Sequence, residues 1–269
     1  MPPSVRAVDR ALDILLCFSR NDTALSMTQI AERVEIHKST VHRLLATLEG
    51  KGFLQRDGAT GLYRLGFQLV ELASLVLRDM DLPRFAGPHL QRLAAESGET
   101  VDLATLDGDQ VVYLQVIESP HRLKIAAAVG QRLPAYCTAT GKAFLAFLPG
   151  DRVDAILAAG QPRYTDRTLV SRSDLQRDLA ATRERGFAIS EQEFESDINA
   201  IAAPIRDAAG LPIGAIAIVG PSFRLLRDRM LALSRVLLAA TEAISHEMSL
   251  ASASTLTAAQ PTLRKGSPR

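Results

Sequence analysis

The chain has little of what marks many function classes. Its 269 residues carry 31 Lys and Arg against 30 Asp and Glu, a formal net charge of +1. Such a balance argues neither for nor against nucleic acid, so any basic surface has to be local. There are two cysteines, Cys17 and Cys137, in apolar or small-residue surroundings without metal-ligand spacing. That excludes a disulfide framework and suits a reducing compartment, with both thiols read as buried. No apolar run approaches the ~20 residues of a membrane span. The opening "MPPSVRAVDRALDILLCF" lacks the basic segment, unbroken apolar stretch and cleavage site of a signal peptide. A cytoplasmic protein without a membrane partner is expected. The five histidines, His37, His42, His89, His121 and His246, form no pair at ligand spacing, and no metal or other cofactor is expected. Gly141-Lys142 is followed by Ala143, with no glycine five places before Gly141, so there is no phosphate-binding loop. Cys137 has no histidine close in sequence to activate it. The chain reads as a non-enzyme.

What is present falls into pieces. Residues are 47% hydrophobic, enough for a substantial core. Residues 4–65 read as a helix from about Val5 to Arg20, a short helix capped by Ser26, a third helix from Lys38 to Gly50, and a hairpin around "QRDGATG". Residues 66–80, "GFQLVELASLVLRDM", read as a linker helix, with a boundary at Leu82-Pro83. Residues 81–249 read as an α+β domain. It comprises a helix "RFAGPHLQRLAAES", strands "TVDLATL", "QVVYLQVIE" and "LKIAAAV", and a helix near Thr140. Two more helices follow, then strands "GFAISEQ", "AIAAPIRD" and "PIGAIAIVG" and a closing helix to Met248. Helices on one side of an antiparallel sheet are expected. Residues 250–269 are Ser/Ala/Thr-rich without periodicity and read as a disordered tail.

The third helix puts Val41, Leu44, Leu45 and Leu48 on one side and Lys38, Ser39, Thr40, His42, Arg43 and Thr47 on the other. Alone, such a helix could equally be one whose polar face only meets water. The short second helix before it, where Thr28 stands, and the basic hairpin behind it favour a winged helix-turn-helix. A helix fits the major groove, where Arg reads guanine and Ser or Thr contacts base or phosphate. The hairpin arginines Arg56 and Arg64 would touch backbone or minor groove, supplying affinity and orientation rather than sequence.

"RAVDRALDILLCF", "LSMTQIAERVEIHKSTVHRLLATLEGKGFL" and "YRLG" resemble the DNA-binding half of the IclR family of bacterial transcription regulators. "ESGETVDLATLDGDQVVYL", "GQRLPAYCTATGKAFLAFLP", "RGFAISEQEF" and "AIAAPIRDAAGLPIGAIAIVGP" resemble its effector-binding half, in the family's order. The resemblance spans roughly Val5 to Met248. It implies a GAF-like α/β effector-binding domain, a homodimer or homotetramer, a double-stranded DNA operator, and control of a catabolic operon by an organic acid, carboxylate or aromatic. Repression is the expected sign. The matching effector positions are Leu123, Ala139, Thr140, Ser190, Glu193, Ala200, Ala217 and Val219. Without the resemblance, Thr138 or Thr140 could merely cap the helix it opens.

This chain departs from the family pattern at Asp197, where Gly is common, and at Ala217 and Val219, apolar where some small-acid binders carry hydroxyls. Together with Ala200, that points to a pocket for an acid larger than two or three carbons. The alternative is that these residues are sheet core. Two rivals stay open at this level: an enzyme carrying a DNA-binding domain, and an architectural DNA-binding protein with an unresponsive sensor.

Overall fold

The computed structural model describes residues 4–19, 21–78, 80–158 and 160–258, with backbone alone for 77–78 and 252–258. Contacts divide the chain into two units, Met1–Asp79 and Met80–Arg269.

The first unit runs α1 (Arg6–Leu16), α2 (Met27–Arg33), α3 (Lys38–Gly50), β1 (Leu54–Arg56), β2 (Tyr63–Leu65) and α4 (Gln68–Arg78). α1 stops short of the expected Arg20. The Arg33 guanidinium donates to the Cys17 carbonyl at 3.0 Å and pairs with Asp22 at 3.0 Å, turning the chain there. Ser26 opens α2 through a reciprocal capping box. Its hydroxyl accepts from the Gln29 N–H at 3.3 Å, and the Gln29 side chain accepts from the Ser26 N–H at 2.9 Å. His37 caps α3, its Nδ1 accepting from the Ser39 N–H at 3.3 Å. Ile14, Leu25, Ile30, Val41, Leu45, Leu54 and Tyr63 pack together as one core. Leu25 and Tyr63 exchange backbone hydrogen bonds of 3.0 and 2.8 Å, so the hairpin is pinned to the chain just before α2. Its turn is held by Asp57, whose Oδ1 accepts from the N–H groups of Ala59 (2.9 Å) and Thr60 (2.8 Å). Those bonds, Thr60's first, hold the Asp57 carboxyl below its usual range.

Between α2 and α3 the chain turns through Glu35 at φ 52°, a left-handed conformation that disfavours a side chain with a Cβ. Glu35→Gly is therefore expected to relieve about 1–2 kcal/mol of strain, offset by about 0.4–1 kcal/mol from the greater freedom of the unfolded chain, leaving a small net stabilisation. Thermal melting checks this: a lower melting temperature would show that the turn is not strained. Gly66 is tighter still. A Cβ there would lie 2.0 Å from the Gly52 carbonyl oxygen, and the two stretches are tied by Gly66 N–H to Phe53 O (2.8 Å) and Gln68 N–H to Gly52 O (3.2 Å).

The second unit runs α5 (Asp81–Ser97), β3 (Thr100–Asp107), β4 (Gln110–Ile117), β5 (Arg132–Pro134), α6 (Ala139–Leu145), α7 (Gly150–Leu157), α8 (Arg172–Arg185), β6 (Ala188–Glu191), β7 (Ile198–Arg206), β8 (Pro212–Pro221) and α9 (Arg227–Ala258). The strands make a six-stranded sheet of order β5-β4-β3-β8-β7-β6, antiparallel throughout. Period-two alternation splits it into two faces. Ile201, Ala203, Ile205, Ile216 and Ile218 pack with Leu90 of α5 and Met230, Leu237 and Ile244 of α9. Ala200, Ala202, Ala215, Ala217 and Val219 meet Ala139, Ala143 and Phe144 of α6 and Leu175 and Leu179 of α8.

Four expectations need correction. Helices cover both sheet faces, not one, because both sets of alternating residues are apolar. Pro83 does not mark the boundary. α5 begins at Asp81 and carries Pro83 in its first turn, where a missing N–H costs nothing. "LKIAAAV" is no strand: it runs irregularly over residues 123–129, while Tyr113 bonds on to Gln131 and Gly130. α9 continues past Met248 through part of the supposed disordered tail to Ala258. The rest of that tail expectation, 259–269, lies outside the described residues.

Candidate functional site

In the first unit, α3 buries Val41 and Leu45 and leaves Lys38, Ser39, His42, Arg43 and Thr47 exposed, with Thr40 half-buried. Thr28 is exposed on α2. Two hydroxyls on this face are already engaged: Ser39 Oγ with His37 Nδ1 at 2.8 Å, and Thr47 Oγ1 donating to the Arg43 carbonyl at 3.0 Å. Both keep acceptor capacity. The hairpin pairs Gln55 with Arg64 and Arg56 with Tyr63. The Arg56 guanidinium lies 5.7 Å from the Tyr63 ring centroid, which holds that arm against the strands. Arg64 is exposed.

In the second unit a cavity of about 260 Å³ lies against the alanine face of the sheet. β4 supplies Tyr113, β7 Ile198 and Ala200, and β8 Val219. The irregular 123–129 stretch supplies Lys124, Ile125, Ala126 and Ala127. Cys137, Thr138 and Ala139 come from the start of α6, and Ser190, Phe194 and Glu195 from β6 and the loop after it. Of the expected effector residues, Ala139, Ser190, Ala200 and Val219 line this cavity. Leu123 is exposed outside it, with its carbonyl accepting from Arg224 at 3.2 Å. Thr140 and Ala217 are buried beside the lining without joining it, Ala217 packed among the sheet's alanines.

Glu193 has another position. Lys142, fully buried, lies 2.5 Å from its Oε1 and 2.9 Å from Asp178 Oδ2. Thr165 and Thr168 clamp the same loop by donating to the carbonyls of Gln192 (2.6 Å) and Glu193 (2.7 Å). Asp197, the residue where the family commonly has Gly, does stand at φ 65°. Burial first, then the Asp178 charge, pushes the Glu193 carboxyl upward, while Lys142 pulls it down.

Thr138 caps α6. Its hydroxyl accepts from the Gly141 N–H (3.2 Å) and donates to Pro134 O (2.9 Å), so the modest reading of this threonine is also the observed one. The N–H groups at the start of a helix have no intrahelical partner. Cys137 faces the same space, but burial pushes its thiol up to about 12, too high to act as a thiolate nucleophile near neutral pH. Sequence reasoning missed Tyr113, Lys124, Gln131, Phe194 and Glu195. Only Tyr113 had a visible signal, standing at an inward position of an alternating strand.

The comparisons agree with this geometry. The family model described as IclR helix-turn-helix domain matches residues 7–58, and the one described as bacterial transcriptional regulator IclR C-terminal matches residues 74–246. The chain is 35% identical to the HTH-type transcriptional regulator XynR of Escherichia coli K12 over 80% of its own length and 86% of that protein's. It is 33% identical to the transcriptional repressor IclR of the same strain, over 84% of each. A solved IclR homologue from Microbacterium hydrocarbonoxydans, complexed with 4-hydroxybenzoate, superposes with a TM-score of 0.78 at 27% identity, covering 89% of this chain and 98% of that one. No helix among the described residues is long and apolar enough to cross a membrane. With both halves matched and the winged helix and sensor fold in place, the chain belongs to the IclR family of bacterial transcriptional regulators.

Proposed function

We propose that this regulator is a cytoplasmic repressor of a catabolic operon, released or reset by an organic acid bound in the 260 Å³ cavity. The winged helix (residues 4–65) reads the operator and the domain over residues 81–249 senses the acid. The observation that carries the reading is the cavity itself: apolar walls with a few hydroxyls and amides, close to the ~300 Å³ lower bound of small-molecule sites. An acid of aromatic or similar size fits that character, and the solved relative is complexed with one, 4-hydroxybenzoate. Ala139, at the start of α6 and in the lining, would offer a backbone donor to its carboxylate. The copy number that fits is two or four, since α1 and α4 expose Val8, Leu12, Val70, Leu75 and Val76, apolar surface that a second copy would cover. Paired winged helices then read two half-sites. An acid alters DNA affinity only to the extent that it binds the competent and incompetent states differently, usually ~1–3 kcal/mol.

The test is fluorescence anisotropy on the DNA upstream of the gene, at fixed salt, with a panel of aliphatic and aromatic acids. One acid class should shift affinity by about tenfold; tight DNA binding that no acid moves would refute the sensor half. On the DNA side, Arg43→Ala should weaken specific binding by about 1–3 kcal/mol and leave random DNA nearly unaffected. Arg56→Ala should weaken both and flatten the salt dependence. Equal effects on random DNA would contradict these roles.

A further inference from the structure

Asp102 is the one fully buried carboxylate of the sensor domain with neither oxygen hydrogen-bonded, among the described residues. Other deeply buried charges are answered. Glu99 takes a bidentate pair from Arg224 at 2.6 and 2.7 Å, and Lys142 has Glu193 and Asp178. An orphaned buried polar group of this kind is destabilising, and an apolar side chain would fill the same place without that loss.

Its position explains where a partner would come from. Val101 and Leu103 belong to the α5/α9 face, so Asp102 between them stands on the cavity face. Across the ladders it faces Val116 on β4 and Ala217 on β8. Ala217 is two residues from Val219, and Tyr113, opposite Ala104, is the next inward residue of β4; both Val219 and Tyr113 line the cavity. Burial raises the Tyr113 hydroxyl well above its usual range, and the Asp102 charge adds to that, which places the two groups in each other's field. Burial alone lifts the Asp102 carboxyl to about 8, as expected of an acid with no donor nearby. On the same face stand Ala104 of β3, Ala217 directly across on β8 and, beyond it, Ala202 of β7.

We propose that Asp102, which stands fully buried behind the lining beside Ala217 in this structure, becomes the inner polar contact of the effector cavity when an acid enters, accepting a hydrogen bond from a hydroxyl or amino group on the end that enters first. The inference rests on the organic-acid reading of the cavity and narrows it to acids that also carry a donor. Either protonation state of a carboxyl offers an acceptor oxygen, so a donor on the ligand is the requirement. A site built to bond such a group discriminates strongly against the analogue lacking it, because the site's own polar atom is then left unpaired.

The experiment measures binding to the full-length protein by calorimetry with matched pairs: 4-hydroxybenzoate against 4-methylbenzoate, and 4-hydroxybutyrate against pentanoate. Wild type should prefer the hydroxy acid of the bound pair by at least tenfold. Asp102→Leu should remove or reverse that preference while still binding the methyl acid, and unliganded Asp102→Leu should melt several degrees higher than wild type. A preference that survives Asp102→Leu overturns the assignment, as does a lower melting temperature, which would reveal a structural partner for the carboxyl. Equal binding of both members of a pair by wild type overturns it while leaving the organic-acid reading intact. No binding by any of the four, with a raised melting temperature in Asp102→Leu, refutes the acid reading and the assignment with it.

Discussion

Lys142→Met is expected to cost about 3–5 kcal/mol of stability, the usual consequence of removing one member of a buried ionic cluster. Lys142 is wholly enclosed on α6 and answers Glu193 of the β6–β7 loop and Asp178 of α8. Without it two carboxyls remain facing each other in a poorly solvated place, and the Asp178 charge already pushes Glu193 up. Urea unfolding of the full chain reads the loss. The pH dependence has a definite sign. Taking away Lys142 removes the influence that lowers the Glu193 pKa, so the folded value rises further above its unfolded one. Stability tied to such a group is present in acid and lost as pH rises through the folded pKa. The gap between variant and wild type should therefore widen from pH 5 to pH 8. Adding Glu193→Gln should recover part of the loss. A variant that unfolds within ~1 kcal/mol of wild type at every pH would mean that the cluster is solvated.

Gly141→Ala should be nearly as damaging, for a reason of shape rather than charge. A Cβ on Gly141 would lie 2.1 Å from the Ala135 carbonyl oxygen and 2.2 Å from its Cα, backbone atoms that cannot swing aside. α6 cannot retreat either, since Ala143, Phe144 and Leu145 beside it are buried and Lys142 is tied at its tip. The expected cost is about 1–3 kcal/mol or more for such overpacking. The displacement falls at the start of α6, where Thr138 and Ala139 line the cavity. Acid binding should fall at least tenfold while affinity for random DNA, which depends on the other unit, is kept. Thermal melting with acid titration of the same preparation checks both. Normal melting with normal acid binding would show that the close approach carries neither stability nor function.

The elements read best from sequence are those whose ends carry local chemistry. α3 opens at Lys38 and closes at Gly50 as its periodicity implies, and Ser26 caps α2 because Gln29 stands three residues on. The misread ones are set by distant partners. Nothing local to "LKIAAAV" reveals that Gln131 and Gly130 take the bonds of Tyr113, leaving Lys124, Ile125, Ala126 and Ala127 outside the sheet, where they wall a cavity. Likewise, Arg33 ends α1 from the far side of a loop. The candidate site was legible where motif and strand alternation coincide, as at Ala200 and Val219. It was illegible at Phe194 and Glu195, placed by a loop that Thr165 and Thr168 hold from elsewhere in the chain. Asp102 sits in a strand that reads as ordinary core, and only the lack of a partner in three dimensions sets it apart.

The two faces of the central sheet differ in what they can tolerate over generations. On one, isoleucines interlock with α5 and α9, and a change there disturbs the whole domain. On the other, Ala200 and Val219 stand beside open space while the neighbouring alanines pack on α6. Adding or moving a single methyl group on that side reshapes the chamber while the opposite layer keeps its packing. A lineage built on this sheet can therefore change which compound it answers to in single substitutions, each leaving a protein that still folds.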